Sequence, residues 1–293
     1  MTTRQQPETD PKGLDFLRLK NEMTRKKGDG TAVIFKILLI NLVLIIFITV
    51  FGNHITPHDP LEIHLHHALR GPSLHYPLGN DFLGRCLLSR ILAGARTSVG
   101  LGIIATVFSS LTGILVGLVS GYAGGFIDEI VMRITDVFLS FPQIIIVVTI
   151  AGIMAPGVAN LVFAIVIVGW MRYARIVRSI TISARESLYV KSAEISGISN
   201  SRIILTHILP SCKQHIIVIS SLGLSKSILA ISSLGFLGFG IQPPHAEWGR
   251  LLLDGKDYIL TSPHLSVFPG LFIIFTVLTF NLLGDLLSNR KGN

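Results

Sequence analysis

Apolar residues along this chain fall into long uncharged blocks rather than into the alternation of a strand or the one-sided stripe of a surface helix. Six blocks approach the roughly 20 residues that a helix needs to cross the hydrocarbon of a bilayer. They cover 33–51, 98–120, 131–154, 159–178, 216–236 and 266–287. The first is the cleanest, with no charge from Ile37 to Phe51. Ala155-Pro156-Gly157 separates the third and fourth as a tight turn and makes them a helical hairpin. The pattern therefore predicts an all-α, polytopic membrane protein with six transmembrane helices. Small residues recur in the second block (Gly100, Gly102, Gly113, Gly117, Ser120, Gly121), a spacing that lets helix backbones approach in lipid.

The polar stretches divide the rest. Residues 1–30 read as a cytoplasmic tail and 31–52 as the segment holding the first span. Residues 53–95 form an extracellular loop, 96–287 a transmembrane domain with a cytoplasmic loop at 180–210, and 288–293 a second tail. The start is polar and mixed in charge, unlike a cleavable signal peptide, so the first span is expected to stay as an anchor. Basic residues concentrate from Arg172 to Lys213 (Arg172, Arg175, Arg178, Arg185, Lys191, Arg202, Lys213) and again at Arg290 and Lys291. The positive-inside rule puts these segments in the cytoplasm, and an even number of spans agrees with both termini there. The first loop dissents mildly, because it carries Arg70, Arg85 and Arg90, with Arg96 just beyond it.

Composition agrees: 49% of the 293 residues are hydrophobic and 14% are charged, too few charges to cover a soluble domain of this length. The net charge of +8 belongs to headgroup-facing residues rather than to nucleic-acid binding, since no basic stripe with interleaved aromatics occurs. Cys86 and Cys212 match no metal or disulfide spacing.

The most informative polar stretch is 185–210. It reads as a short helix, a glycine stop at Gly197, and a second apolar helix ended by Pro210. Leu188, Ser192 and Ser196 share one face, with Tyr189, Ala193 and Gly197 beside them, a small-residue surface suited to a partner's groove. An ordinary interfacial helix has the same pattern. The stretch resembles the Glu-Ala-Ala…Gly loop of ABC importer permeases, and further motifs resemble the dipeptide, oligopeptide and nickel branch of that family. These are Pro77-Leu78-Gly79-Asn80-Asp81, Gly121-Tyr122-Ala123-Gly124-Gly125, Phe141-Pro142, Tyr173-Ala174-Arg175, Gly235-Phe236-Leu237-Gly238-Phe239-Gly240, Glu247-Trp248-Gly249 and Phe280-Asn281-Leu282-Leu283-Gly284-Asp285. Their order, over roughly 75–287, is what makes the likeness specific.

The resemblance implies a six-span permease that pairs with a second homologous permease, two ABC ATPase subunits and an external substrate-binding protein, in contact with membrane lipid. Tyr189, Lys191, Ser192, Ala193, Gly197 and Arg202 then couple it to an ATPase. Lys191 stands where the motif has glutamate and Ser192 where it has its first alanine, which puts that glutamate's ion pair in doubt. ATP and Mg belong to the partners, because the chain has no Gly-x-x-x-x-Gly-Lys-Ser/Thr loop; this chain itself is expected to bind no cofactor.

Lys226, inside the fifth apolar block, is either a cation facing the translocation path or a snorkelling residue paired with a partner's acid. The first loop holds His54, His58, His64, His66, His67 and His75, of which His64, His66 and His67 are weak metal candidates. Glu247, His245 and Asp254 form no recognised catalytic arrangement, so no enzyme is expected. An ion-coupled secondary transporter would need acids within the spans, where only edge residues such as Asp136 and Asp285 occur. On Lys226 and the histidines the reading leans to a nickel or other metal-chelate substrate, with a di- or oligopeptide as the alternative.

Overall fold

A computed structural model of the protein describes residues 33–289. The tail over 1–30 and the basic pair Arg290 and Lys291 lie outside the described residues. Among the described residues there is no strand, only one bridge between Asn80 and Cys86. Ten α-helices follow in order. They are α1 (Val33–His54), α2 (Leu87–Ala123), α3 (Gly125–Leu139), α4 (Gln143–Ile153), α5 (Val158–Arg185), α6 (Leu188–Ile195), α7 (Asn200–Ile203), α8 (Leu209–Phe236), α9 (Trp248–Gly255) and α10 (His264–Asn289). Helices α1, α2, α5, α7–α8 and α10 are each long and apolar enough to cross a membrane. Most run past the apolar blocks that announced them, because a helix continues into polar surroundings where its backbone remains paired.

The third expected span, 131–154, is not one helix. Helices α3 and α4 meet at 88° across Ser140-Phe141-Pro142. Proline has no amide hydrogen and pushes the residue before it out of helical geometry, so the chain breaks where Pro142 stands. Taken together, the pair is long and apolar enough to make one crossing. Asp128 of α3 is ion-paired with Arg178, Asp136 with Arg175, and Val147 of α4 packs in one cluster with Ile165, so α3–α4 climbs α5 in the opposite direction. With that pair counted as one span, the candidate crossings number six.

The two ends of the bundle are distinguished by their contacts. At one end Gly79 abuts His264, the Ser262 hydroxyl donates to the Leu69 carbonyl (3.5 Å), and Gly152 faces Phe239. The α1–α2 loop, the 154–157 turn and residues 237–263 therefore share that end. At the other, Tyr122 at the close of α2 meets Glu194 and Asn200, so α6 and α7 lie there.

Helices α2 and α5 are in closest contact. Gly113, Gly117 and Gly121, one turn apart on α2, lie against the α5 backbone, and a Cβ at Gly117 would fall 2.6 Å from the Ala174 carbonyl oxygen. In lipid, small residues at this spacing let van der Waals contact hold two helices together.

The α1–α2 loop is fastened by buried charge. The Asp81 carboxylate accepts from the amides of Leu83 and Arg85 (2.9 Å each) and from Arg85 Nε (2.6 Å). Arg90, almost wholly buried, lies between Asp81 (3.5 Å) and Asp254 of α9 (3.9 Å), and Arg250 Nε donates to Asp254 (3.0 Å). Arg85 and Arg90, which dissented from the positive-inside pattern, are thus neutralised by acids on their own side of the bundle. Glu247 caps α9, and burial pushes its carboxyl above the usual carboxylate range while bonds from the Gly249 and Arg250 amides and from Ser98 pull it back.

Helix α8 does not begin after a stop at Pro210, as the sequence predicted. The helical path runs from Asn200 through Pro210 to Phe236 and widens into a π-turn over Ile204–Ile208. Proline clashes with the carbonyl four residues back, and the wider turn accommodates it.

Candidate functional site

Helix α6 projects from the end of the bundle on short connections. Glu186 and Ser187 join it to α5, and Gly197 closes it with φ +75°. The Gly197 amide donates to the Glu194 carbonyl (3.0 Å) and the Ile198 amide to that of Ala193 (3.2 Å), the paired bonds of a glycine-terminated helix end. Val190 and Ala193 face inward and pack with Leu118, Tyr122, Ile203, Ile208 and Cys212. The Tyr122 hydroxyl lies 3.2 Å from Glu194 Oε1 and 3.0 Å from Asn200 Oδ1, sharing one hydrogen between α6 and α7. Leu188 and Ile195 point outward with 85% and 88% of their surface exposed, beside exposed Tyr189, Lys191 and Ser192. Arg202 is exposed on α7 and Gly197 has open space around it. The expected small-residue face is therefore divided. Ala193 is a packing residue, and the outward surface has an apolar tip at each end of the helix.

Midway through the bundle, α2, α4, α5 and α8 line a half-open cavity of about 290 Å³ in which the Arg172 and Lys226 side chains are exposed. Its wall includes Lys226 of α8, Arg172 of α5, Gln143 of α4 and Ser109 of α2. Arg172, the first of the basic run that ends at Lys213, lies halfway along α5. A charged side chain at mid-bilayer costs at least about 2.5 kcal/mol. Among the described residues neither cation has an acidic partner. The Ser109 hydroxyl is buried and makes no hydrogen bond. Below it, Thr106 Oγ1 donates to Ser227 Oγ (3.1 Å) and ties α2 to α8.

The loop histidines are used in packing. His58 stacks on Tyr76 with centroids 4.7 Å apart, its Nε2 is 3.4 Å from that of His75, and His67 Nδ1 is 3.1 Å from the Tyr76 hydroxyl. His64 Nε2 lies 3.3 Å from Glu62, and His66 is exposed. Among the described residues no three His, Cys, Asp or Glu side chains are grouped to hold a metal ion, so His64, His66 and His67 are not brought together as ligands.

Comparison with known proteins decides what this architecture belongs to. Residues 113–290 match the family described as binding-protein-dependent transport system inner membrane component. The chain belongs to this family. Similar members include the dipeptide transport system permease protein DppC of Alkalihalophilus pseudofirmus, 38% identical over 85% of this chain and 83% of the relative. The glutathione transport system permease protein GsiD of Pectobacterium atrosepticum is 39% identical over 83% and 81%. The di/tripeptide transport system permease protein DppC of Pseudomonas aeruginosa is 37% identical over 84% of each.

As a binding-protein-dependent permease the chain is a transport subunit and not an enzyme. The family match contains α6, Arg172 and Lys226 and leaves out the histidine loop. The lean toward a nickel chelate is not supported, because these relatives are named for dipeptide, glutathione and di/tripeptide transport, and the histidines on which it rested beside Lys226 form no ligand set among the described residues. Sequence reasoning placed Leu188 on the docking face, but it gave no role to Ile195 or Ser109 and knew Tyr122 only as part of a motif. An apolar residue at the far end of the short helix, matching Leu188 at its start, was a signal for Ile195. Tyr122 and Ser109 gave none, since their roles depend on which helices meet.

Proposed function

We propose that this chain is one of two permease subunits of an ATP-driven importer for short peptides, with α6 seated in a groove of an ATPase subunit. The observation that carries it is the pair of exposed apolar tips, Leu188 and Ile195, on a helix whose inner face is anchored to α2, α5 and α8. Exposed apolar residues on a rigid projection are what a partner's groove buries. Here α6 lies in the cytoplasm, where Arg185, Lys191 and Arg202 satisfy the positive-inside rule, and both termini share that side. ATP and Mg bind the two ATPase subunits, a homologous second permease completes the path, and an external binding protein delivers the peptide.

Its coupling role is conformational. Nucleotide on the partners shifts the permeases between inward- and outward-open states, and a decisive shift takes roughly 5 kcal/mol of differential binding.

The test is reconstitution. A complex purified through a tag on this chain should contain a second permease and an ATPase. In proteoliposomes supplied with binding protein and ATP it should accumulate labelled dipeptide, competed by unlabelled di- and tripeptides and not by nickel. Accumulation of nickel without peptide would overturn the substrate, and peptide accumulation without ATP would overturn the energy source.

A further inference from the structure

We propose that the cavity between α2, α4, α5 and α8 is a carboxylate subsite of the translocation path, in which Lys226 and Arg172 bind the terminal carboxylate of a peptide in transit. The proposal rests on the peptide-import reading above and adds a place where this chain itself holds the cargo.

Depth is the first support. At about 1.5 Å per residue, Lys226 lies about 15 Å from the Phe236 end of α8, and Arg172 about 21 Å from the Val158 end of α5. Those two ends are on the same side of the bundle, so both cations are within the roughly 30 Å of hydrocarbon and near its middle. A cation there without a function is rare.

Pairing is the second. Five arginines of the helices are matched with acids: Arg90 with Asp81 and Asp254, Arg133 with Glu129, Arg175 with Asp136, Arg178 with Asp128, and Arg250 with Asp254. At this cavity, among the described residues, no such match is made. Two cations line it, Arg172 from α5 and Lys226 from α8, and no acid does.

The third is the remaining lining. The buried Ser109 hydroxyl, without a protein partner, supplies a donor, and the Gln143 amide another. Gly169 and Gly223 keep the wall open, since a Cβ at Gly169 would strike the Ser109 hydroxyl and one at Gly223 the Tyr173 hydroxyl. About 290 Å³ is at the small end of small-molecule sites, which begin near roughly 300 Å³.

These groups select an anion. A planar guanidinium offers a fork of donors that fits a carboxylate, and an ammonium adds a point charge. Two cations without an acid repel a free metal ion. A terminal carboxylate is common to all peptides, so the subsite holds the cargo by its backbone end and is indifferent to side chains.

The experiment uses the assembled transporter purified without its binding protein. Ser233→Cys places a thiol on the cavity wall, and the native Cys86 and Cys212 are buried. Alkylation of this thiol by N-ethylmaleimide is followed by mass spectrometry of this chain. Millimolar dialanine should slow it, whereas dialanine amide, which lacks the carboxylate, should not. In Lys226→Met or Arg172→Gln the half-protecting concentration should rise at least about tenfold, the loss expected for one charge-assisted contact. Lys226→Arg should keep most of the protection, which separates loss of charge from misfolding. Equal protection by the amide, no protection by either, or protection unchanged in both charge-removing variants would overturn the subsite. If acetate protects through Lys226 but dialanine is not accumulated in the reconstituted system, the subsite stands and the peptide-import reading falls. Accumulation without carboxylate-dependent protection means the reverse.

Discussion

Glu247 is fully buried, and its carboxylate accepts from Ser98 Oγ (3.1 Å) and from the amides of Gly249 (2.7 Å) and Arg250 (2.8 Å). Three donors on two oxygens leave the side chain no other rotamer. Gly235 of α8 lies directly against it, so that a Cβ there would fall on the carboxyl group. The pinned carboxylate cannot swing away, unlike the free end of a flexible side chain. We expect Glu247→Ala to cost about 1–3 kcal/mol, through the lost cap and the unpaired Ser98 and amide donors. Gly235→Ala should cost a similar amount by displacing the same carboxylate. The double variant should be more stable than the sum of the two losses, by about 0.5 kcal/mol or more, because the new methyl then occupies the vacated space. Thermal unfolding of the purified complex in detergent measures all three, and strict additivity would mean the two residues do not share that space.

At the scale of the element, α6 shows how a side chain's bulk and a backbone's conformation are separable. Nothing lies within 4 Å of a Cβ at Gly197, yet its φ of +75° belongs to a region that costs an ordinary residue about 1–2 kcal/mol. Size is therefore not what the position forbids. Gly197→Val, β-branched and poorly suited to positive φ, should leave the chain in the membrane and reduce peptide-stimulated ATP hydrolysis severalfold. Gly197→Asn, which tolerates that conformation, should retain most of it; equal loss in both would mean the side chain obstructs docking instead. The helix and its glycine stop were legible in the sequence because both are local signals. The inward turn of Ala193 was not, since it depends on Ile203, Ile208 and Cys212 arriving from α7–α8. The break between α3 and α4 was written at Phe141-Pro142, but hydropathy averaged over 131–154 conceals it. Arginines at every third position, 172, 175 and 178, imitate a basic tail when they in fact climb one helix through three surroundings.

For the whole molecule, the six crossings set which loops share a side. Ser201→Cys on the α6 side and His66→Cys on the other are both at exposed positions. In intact cells an impermeant thiol reagent should label the cysteine at 66 and reach that at 201 only after permeabilisation. Labelling of both in intact cells would mean that α3–α4 turns back instead of crossing. The crossings were readable from apolar length alone, whereas the Asp81–Arg90–Asp254 network and the mid-bundle cavity exist only once α2, α8 and α9 are assembled. One consequence of that assembly concerns stiffness. Gly113, Gly117 and Gly121 bring α2 and α5 backbone to backbone over two turns, leaving no flexible side chains between them to absorb shear. The two helices behave as a single beam. Helix α6 is attached to one end of that beam through Ser187 and Tyr122, and Ser109 and Arg172 lie partway along it. A tilt imposed at α6 is therefore delivered through the beam to the Arg172 side of the cavity, and reaches the α8 side by two routes, the Thr106–Ser227 tie from α2 and the π-turn at Ile204–Ile208.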